Sequence, residues 1–199
     1  SSQLSLSQER ERSLLSSLKA VRLRLELGLA NLSELEAAEG TFELMVREAL
    51  NPGKNFFDVV SFDVVTKMGR SGGSLTMATV SLQAQDGLHT ETSVGSGPVN
   101  ALDICLRQCL VGQFPAIANV KLTDYKVRVI DSKKGTAAKV RVLIEWSDHK
   151  RSWATVGVSD NVIEASWKAL VDAIRLELMR LADKNDSIEK AVEDYCWGV

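Results

Sequence analysis

The 199-residue chain has few cysteines, prolines and histidines, and it has no long apolar run. Its three cysteines are an odd number that forms no disulfide framework, so we interpret them as reduced thiols in a reducing compartment. No apolar stretch is long enough to cross a bilayer, and the N-terminus lacks the apolar core of a secretory signal. We therefore expect a cytoplasmic protein, or a protein of the plastid stroma if the source is a plant or an alga.

An excess of positive charge is also missing. The chain has 24 Lys and Arg against 26 Asp and Glu, which gives a formal net charge of -2. Nucleic-acid-binding domains usually carry a basic field, and RNA-binding sheets add aromatic residues to it. Since the predicted strands show no basic-aromatic face, the composition argues against an RNA-binding module.

The sequence offers little that resembles catalytic machinery. Its two histidines, His89 and His149, fall at predicted hairpin turns without metal-ligand spacing to Cys, Asp or Glu. No HExxH or Walker pattern is present. The Gly-rich stretch "KMGRSGGS" at 67–74 precedes a strand rather than a helix, so we interpret it as a hairpin loop and not as a phosphate loop. We predict no catalytic residue and no metal site in this chain, and its sequence leaves open whether it is part of an enzyme.

Helical patterns dominate the first quarter of the chain. Apolar residues recur on one face over 8–28, and a second helix is predicted over 34–50, beginning with a capping-box pattern at Ser33 and Glu36. "NPGKN" at 51–55 breaks this pattern. We predict a helical arm at 1–32, a helical linker at 33–55, a sheet-rich domain at 56–184 and a tail at 185–199.

The sheet-rich domain reads as a duplication. Three strand patterns and a helix at 99–111 are followed by three more strand patterns and a helix at 161–182. The halves align at offsets of 62 in the strands (Leu82 with Ile144, Asp86 with Asp148, Val94 with Val156), 63 for Phe62 with Tyr125, and 64 in the helices. This alignment predicts a two-residue insertion before the second helix. The predicted fold class is α+β, with duplicated βββα units whose sheets pack against two helices.

The turns before the two predicted helices are candidate ligand-binding sites. In "GSGPVNA", two glycines allow close approach of a ligand, and Pro98 suits a first helical turn. The amides that follow form a seat for a carboxylate. In "GVSDNVI", the N-cap is Ser159, Asp160 or Asn161. From the pattern alone, an ordinary strand-to-helix connection is the more common explanation of both turns, since caps are frequent and bound ligands are few.

Several segments in order resemble one family. "GSGPVNAL", "LTDYKVRVID", "GTAAKVRVLIE" and "RSWATVGVSDNVIEASWKAL" resemble the C-terminal regulatory domain of the isopropylmalate, homocitrate and citramalate synthase family, and the last is most similar to the citramalate synthase branch. "LEAAEGTFELMVREAL" at 35–50 resembles the helical linker before that domain. The resemblance covers roughly residues 35–180.

The resemblance implies a regulatory role. Enzymes of the family are acyltransferases that condense acetyl-CoA with a 2-oxo acid on a metal-dependent (β/α)8 barrel. Their C-terminal domain forms homodimers and binds the end-product amino acid as a feedback effector. This chain lacks the barrel, so we expect no cofactor here, and the divalent metal and acetyl-CoA belong to the barrel of the parent enzyme. Isoleucine is the favoured effector, and leucine is possible.

The resemblance also transfers an effector site onto numbered positions. Its residues are Gly95, Gly97, Pro98, Val99, Asn100, Leu122, Tyr125, Val129, Thr136, Val140, Ser159 and Asn161. Asn100 stands where the family carries an acidic residue, and a neutral amide loses the ion pair with an ammonium group. This departure leaves an alternative open: a stand-alone dimeric interaction module whose effector site is lost and whose helical arm at 8–50 grips a partner.

Overall fold

The structure is a computed structural model, and it describes residues 38–50, 53–70, 72–130 and 132–182. The predicted arm at 1–32 and the tail at 185–199 lie outside the described residues. None of the helices that the structure describes is long and apolar enough to span a membrane.

The strands form two separate antiparallel sheets of three. The first sheet contains β1 (Phe57–Met68), β2 (Ser74–Ala84) and β3 (Gly87–Gly95) in that order. The second sheet contains β4 (Lys121–Val129), β5 (Val140–Ser147) and β6 (Ser152–Ser159), also in chain order. Alternating β-branched and polar residues, bounded by Gly and Asp turns, explain why these segments form strands.

Three helices accompany the sheets. Helix α1 is Glu39–Leu50, α2 is Pro98–Val111 and α3 is Val162–Ala182. Helix α2 packs on β2 and β3, and α3 packs on β5 and β6. The order is therefore a linker helix followed by two βββα units, which confirms the predicted fold class.

One hydrophobic core joins both units. Buried residues of both sheets and of α2 and α3 belong to a single cluster, and the Phe62 ring of β1 lies 5.1 Å from the Trp167 ring of α3. Cys105 and Cys109 are buried in this cluster as free thiols, as predicted. Burial raises the pKa of Cys109 to about 11, so this thiol stays protonated.

The strand register corrects the predicted alignment of the two units. Each first strand has an irregularity, between Val59 and Ser61 in β1 and between Leu122 and Asp124 in β4, which sets an offset of 63. From the second strand onward the offset is 64. Leu82 pairs with His89 and Trp146 pairs with Trp153; the first helical bonds are Ala101 N to Gly97 O and Ala165 N to Asn161 O.

The offset of 62 and the insertion before the second helix were therefore wrong. Side chains in a strand alternate with a period of two, so a shift of two residues keeps every apolar position on the same face. The apolar pattern alone could not distinguish the two alignments.

Candidate functional site

The first predicted turn lies between β3 and α2. A Cβ on Gly95 would come within 2.5 Å of the Ala101 backbone nitrogen, so only glycine allows the helix to start this close to the strand. Gly97 is the N-cap residue, Pro98 is the first helical residue, and nothing lies within 4 Å of a Cβ built on Gly97. Open space therefore adjoins the start of α2, as an anion seat there would require.

Asn100 is engaged by its own turn. Its Oδ1 accepts a hydrogen bond from the Ser96 backbone nitrogen at 3.0 Å and lies 3.3 Å from the Ser96 hydroxyl, which also donates to it. An ammonium group would compete with Ser96 for this oxygen. Val99, by contrast, is partly buried against the main core.

The second predicted turn lies between β6 and α3, and its N-cap residue is Asn161. The Asn161 Oδ1 accepts from the Ile163 backbone nitrogen at 2.9 Å. Ser159 is buried; its Oγ accepts from the Asn161 backbone nitrogen at 3.1 Å and donates to Glu164 Oε2 at 2.9 Å. Of the three predicted N-cap candidates, the structure selects Asn161.

Glu164 brings a carboxylate to this turn that the sequence analysis missed. Its Oε1 lies 2.7 Å from the Lys168 ammonium, and the hydrogen bonds from Lys168 and Ser159 lower the pKa of Glu164 below its ordinary value. The carboxylate is therefore ionised at neutral pH. The capping-box spacing of Asn161 and Glu164 was the available signal.

One row of predicted residues crosses the second sheet. Val129 on β4 lies opposite Val140 on β5, and Val140 lies opposite Ser159 on β6. Thr136 is exposed in the short 3-10 turn Ser132–Ala137 that joins β4 to β5 beside this row. The structure therefore brings Val129, Val140 and Ser159 together.

Tyr125 connects β4 to α3. Its hydroxyl lies 2.8 Å from the Ser166 Oγ, and the Ser166 hydroxyl donates to the Val162 carbonyl at 2.6 Å. Because that bond uses the serine proton, Tyr125 is the donor to Ser166. Ser166 was not predicted as a site residue, since nothing in the sequence pairs it with a tyrosine 41 positions earlier.

In a single copy of the chain, several apolar side chains of strand β4 are exposed to solvent. Tyr125 and Val127 lie opposite Ile144 and Val142, which are fully buried, so they point to the core side of the sheet. The exposed fractions are nevertheless 36% for Tyr125, 45% for Val127 and 57% for Val129, and Leu122 is 37% exposed. The core side of the second sheet is thus uncovered along its β4 edge.

The predicted site residues fall into two groups. The first group, Gly95 to Asn100, surrounds the start of α2. The second group lies on β4, β5 and the turn before α3: Leu122, Tyr125, Val129, Thr136, Val140, Ser159 and Asn161. Within the parts of the chain that the structure describes, we find no hydrogen bond or ion pair between the two groups. The same residues hold no group of three or more His, Cys, Asp or Glu arranged to bind a metal ion.

Comparison with known proteins identifies the domain. Residues 36–178 match the LeuA allosteric (dimerisation) domain, which is most of the chain and runs from α1 to within the last turn of α3. The chain belongs to this family. Membership agrees with the duplicated βββα architecture and with the resemblance found in the sequence.

Proteins similar to this chain include enzymes named (R)-citramalate synthase and 2-isopropylmalate synthase. The (R)-citramalate synthase of Geobacter sulfurreducens is 40% identical over 157 residues, covering 78% of this chain and 29% of the relative. The (R)-citramalate synthase of Aquifex aeolicus is 45% identical over 146 residues, covering 73% and 28%. The 2-isopropylmalate synthase of Bacillus velezensis is 31% identical over 104 residues, covering 51% and 18%. The chain spans less than a third of the length of these relatives.

Proposed function

We propose that this LeuA domain is the dimerising, feedback-regulatory part of a citramalate synthase, with L-isoleucine as its effector. The higher identity to relatives named citramalate synthase than to the isopropylmalate synthase relative supports that branch. In this proposal, condensation of acetyl-CoA with a 2-oxo acid belongs to another part of the parent acyltransferase. The LeuA domain senses the effector and carries no chemistry itself.

The bare core side of β4 supports a homodimer. Tyr125, Val127 and Val129 are exposed although they face the same side as the buried core of their sheet. A contiguous apolar surface of this kind is a common feature of interfaces between copies. A second copy seated here would cover the strand and remove an open sheet edge.

Dimerisation also offers a way to complete the effector site. Among the described residues of one chain, no hydrogen bond or ion pair joins the start of α2 to the row on the second sheet, and in the proposed dimer the α2 start of the second copy faces that row. The glycine-rich start of α2 suits the effector carboxylate. The exposed residues Tyr125, Val127 and Val129 of β4, called the β4 row below, suit its side chain. We therefore place the effector between two copies.

The second group has the chemistry that a branched aliphatic amino acid needs. Val129 and Val140, which lie opposite each other on β4 and β5, offer an apolar slot, and burying such a side chain is worth about 1.5–3 kcal/mol. Leu122 lies seven residues from Val129, near the other end of β4, and does not line this slot. The Tyr125 hydroxyl and the turn at Ser159 lie at the polar edge of this slot. This apolar row with a single tyrosine hydroxyl is the observation that carries the proposal.

One observation favours a second candidate function. The Asn100 oxygen is held by Ser96, and the position lacks the acidic side chain expected from the family resemblance. A domain that had lost its effector could persist as a dimeric interaction module. The two functions differ in ligand binding and agree in oligomeric state.

Calorimetric titration of the full chain with L-isoleucine, and separately with L-leucine, tests the proposal. Saturable binding of isoleucine, tighter than leucine, to a dimer established by light scattering is the expected result. Tighter leucine binding would move the parent enzyme to the isopropylmalate branch. A folded dimer that binds neither amino acid would refute the sensor and support the interaction module.

A further inference from the structure

Helix α1 occupies the outer edge of the second sheet. The backbone N–H of Val156 on β6 donates to the Thr41 Oγ of α1 at 2.8 Å. A Cβ on Gly40 would lie 2.7 Å from the Ala154 oxygen, so the helix backbone touches the strand directly. Helix α1 thus takes the place that a fourth strand would occupy beside β6.

A buried ionic cluster attaches α1 to α3 as well. Glu43 Oε1 accepts from Arg180 Nε at 2.9 Å and from Arg47 Nε at 2.7 Å, and Arg180 Nη2 pairs with Glu43 Oε2. The Arg180 guanidinium lies over the Trp153 ring of β6, 4.7 Å from its centroid. Burial opposes ionisation of Glu43, but its bonds and charge interactions with Arg180 and Arg47 outweigh this and lower its pKa.

The two elements that α1 contacts, β6 and α3, flank the turn that carries Ser159 and Asn161 of the second group. Strand β6 runs from the α1 contact at Val156 to Ser159 within three residues. Helix α3 carries Ser166, the partner of Tyr125, and fourteen residues later Arg180, the partner of Glu43. At 1.5 Å per residue, these two contacts stand about 21 Å apart on one helix.

Within the part of the chain that the structure describes, no helix lies along the edge of the first sheet as α1 lies along β6. At the offset of 64, Thr92 of β3 aligns with Val156 of β6. Among the described residues, the extensive contacts of β3 are with β2 and α2 only. In the described part of the chain, the edge helix therefore accompanies the unit that holds the β4 row and not the first unit.

We propose that α1 is the element that couples the effector site to the rest of the parent protein. An effector seated against Tyr125 and Ser159 fixes β6 relative to α3, and those two surfaces together form the seat of α1. Effector binding then tightens the docking of α1, through which the chain enters the domain. This inference rests on the proposed function, because it needs an effector at the β4 row.

Reciprocity supplies the test. If the effector favours docked α1 by some factor, docked α1 favours the effector by that same factor, so a change that loosens α1 weakens effector binding. Thr41→Val keeps the side-chain volume and removes the acceptor of the Val156 N–H. We expect it to raise the dissociation constant for L-isoleucine about threefold to tenfold. Thr79→Val, which removes a hydroxyl pair from the first sheet, is the matched control and should leave that constant unchanged.

A measurement on the wild-type chain tests the same inference even if the Thr41→Val variant does not fold. Hydrogen exchange of the wild-type chain should slow in α1 when L-isoleucine is added, and the β2–β3 turn at 84–88 should not change. Unaltered exchange in α1, or a Thr41→Val variant that is less stable but binds isoleucine normally, would make α1 a structural cap and overturn this inference alone. Absence of binding by the wild type would remove the proposed function and this inference together.

Discussion

The Tyr125 hydroxyl donates a hydrogen bond to the Ser166 Oγ, which lies 2.8 Å away on another element. This bond ties the exposed edge strand β4 to the first turns of α3. Among the described elements, β4 otherwise has extensive contacts with its neighbour β5 alone. The bond therefore fixes the strand that carries most of the apolar row relative to the helix start that closes the row.

The first prediction concerns this pair. Tyr125→Phe and Ser166→Ala should each destabilise the fold by about 0.5–1.5 kcal/mol, the usual range for one hydrogen bond. Because the two groups bond each other, the double variant should cost less than the sum of the singles. Chemical denaturation of all four proteins measures this coupling. Strictly additive losses would show that the two hydroxyls do not bond in solution.

The second prediction concerns the apolar edge. Val127→Lys places a charge on the bare core side of β4 and should convert the dimer to a monomer, since a buried unpaired charge is costly. Val65→Lys is a matched control, because Val65 is 46% exposed against 45% for Val127 and lies on the outer side of the first sheet. Light scattering measures the oligomeric state of both variants. A Val127→Lys protein that stays dimeric would move the interface away from β4.

The third prediction contrasts Gly157, within strand β6, with Gly97, the N-cap residue of α2. A Cβ on Gly157 would lie 1.8 Å from the Ala165 carbonyl oxygen, which is backbone and cannot easily move. Gly157→Ala should therefore cost about 3 kcal/mol or more, at the upper end for overpacking. Thermal unfolding measures the loss.

Gly97→Ala is the comparison for that substitution. Gly97 has an extended backbone (φ -172), and its added Cβ would meet nothing within 4 Å. The cost should stay below about 1 kcal/mol, because only the N-cap preference is lost. Equal losses at the two positions would contradict the close packing of β6 against α3.

The sequence predicted the elements far better than their mutual placement. Strand and helix patterns located all six strands and both long helices of the domain, because alternation and amphipathic spacing are local. The contact of Tyr125 with Ser166 and the seat of α1 on β6 depend on tertiary packing, which no local pattern encodes. The position of Asn161 as N-cap was only one of three possibilities until the Ala165 N to Asn161 O bond was seen.

The last prediction concerns pH. Asp172 on α3 is partly buried, and loss of solvation raises its pKa to about 7; Arg175 opposes the shift and Glu48 of α1 adds to it. A carboxyl with a higher pKa in the folded state binds more protons there, so the folded state loses stability as pH rises from about 4 to about 7. Asp172→Asn removes this loss. We expect the variant to be more stable than wild type at pH 8 by about 1 kcal/mol, or roughly 3 °C in melting temperature.

Melting curves of the wild type and of Asp172→Asn at pH 5 and pH 8 test the direction in which Asp172 changes the stability of the fold with pH. The difference between the two proteins should be larger at pH 8, where Asp172 is ionised in both folded and unfolded states. Glu48→Gln should act in the same direction and more weakly, because it removes only a neighbouring charge that raises the pKa of Asp172. A gain from Asp172→Asn that is the same at both pH values would mean that the amide packs better, and that ionisation of Asp172 plays no part.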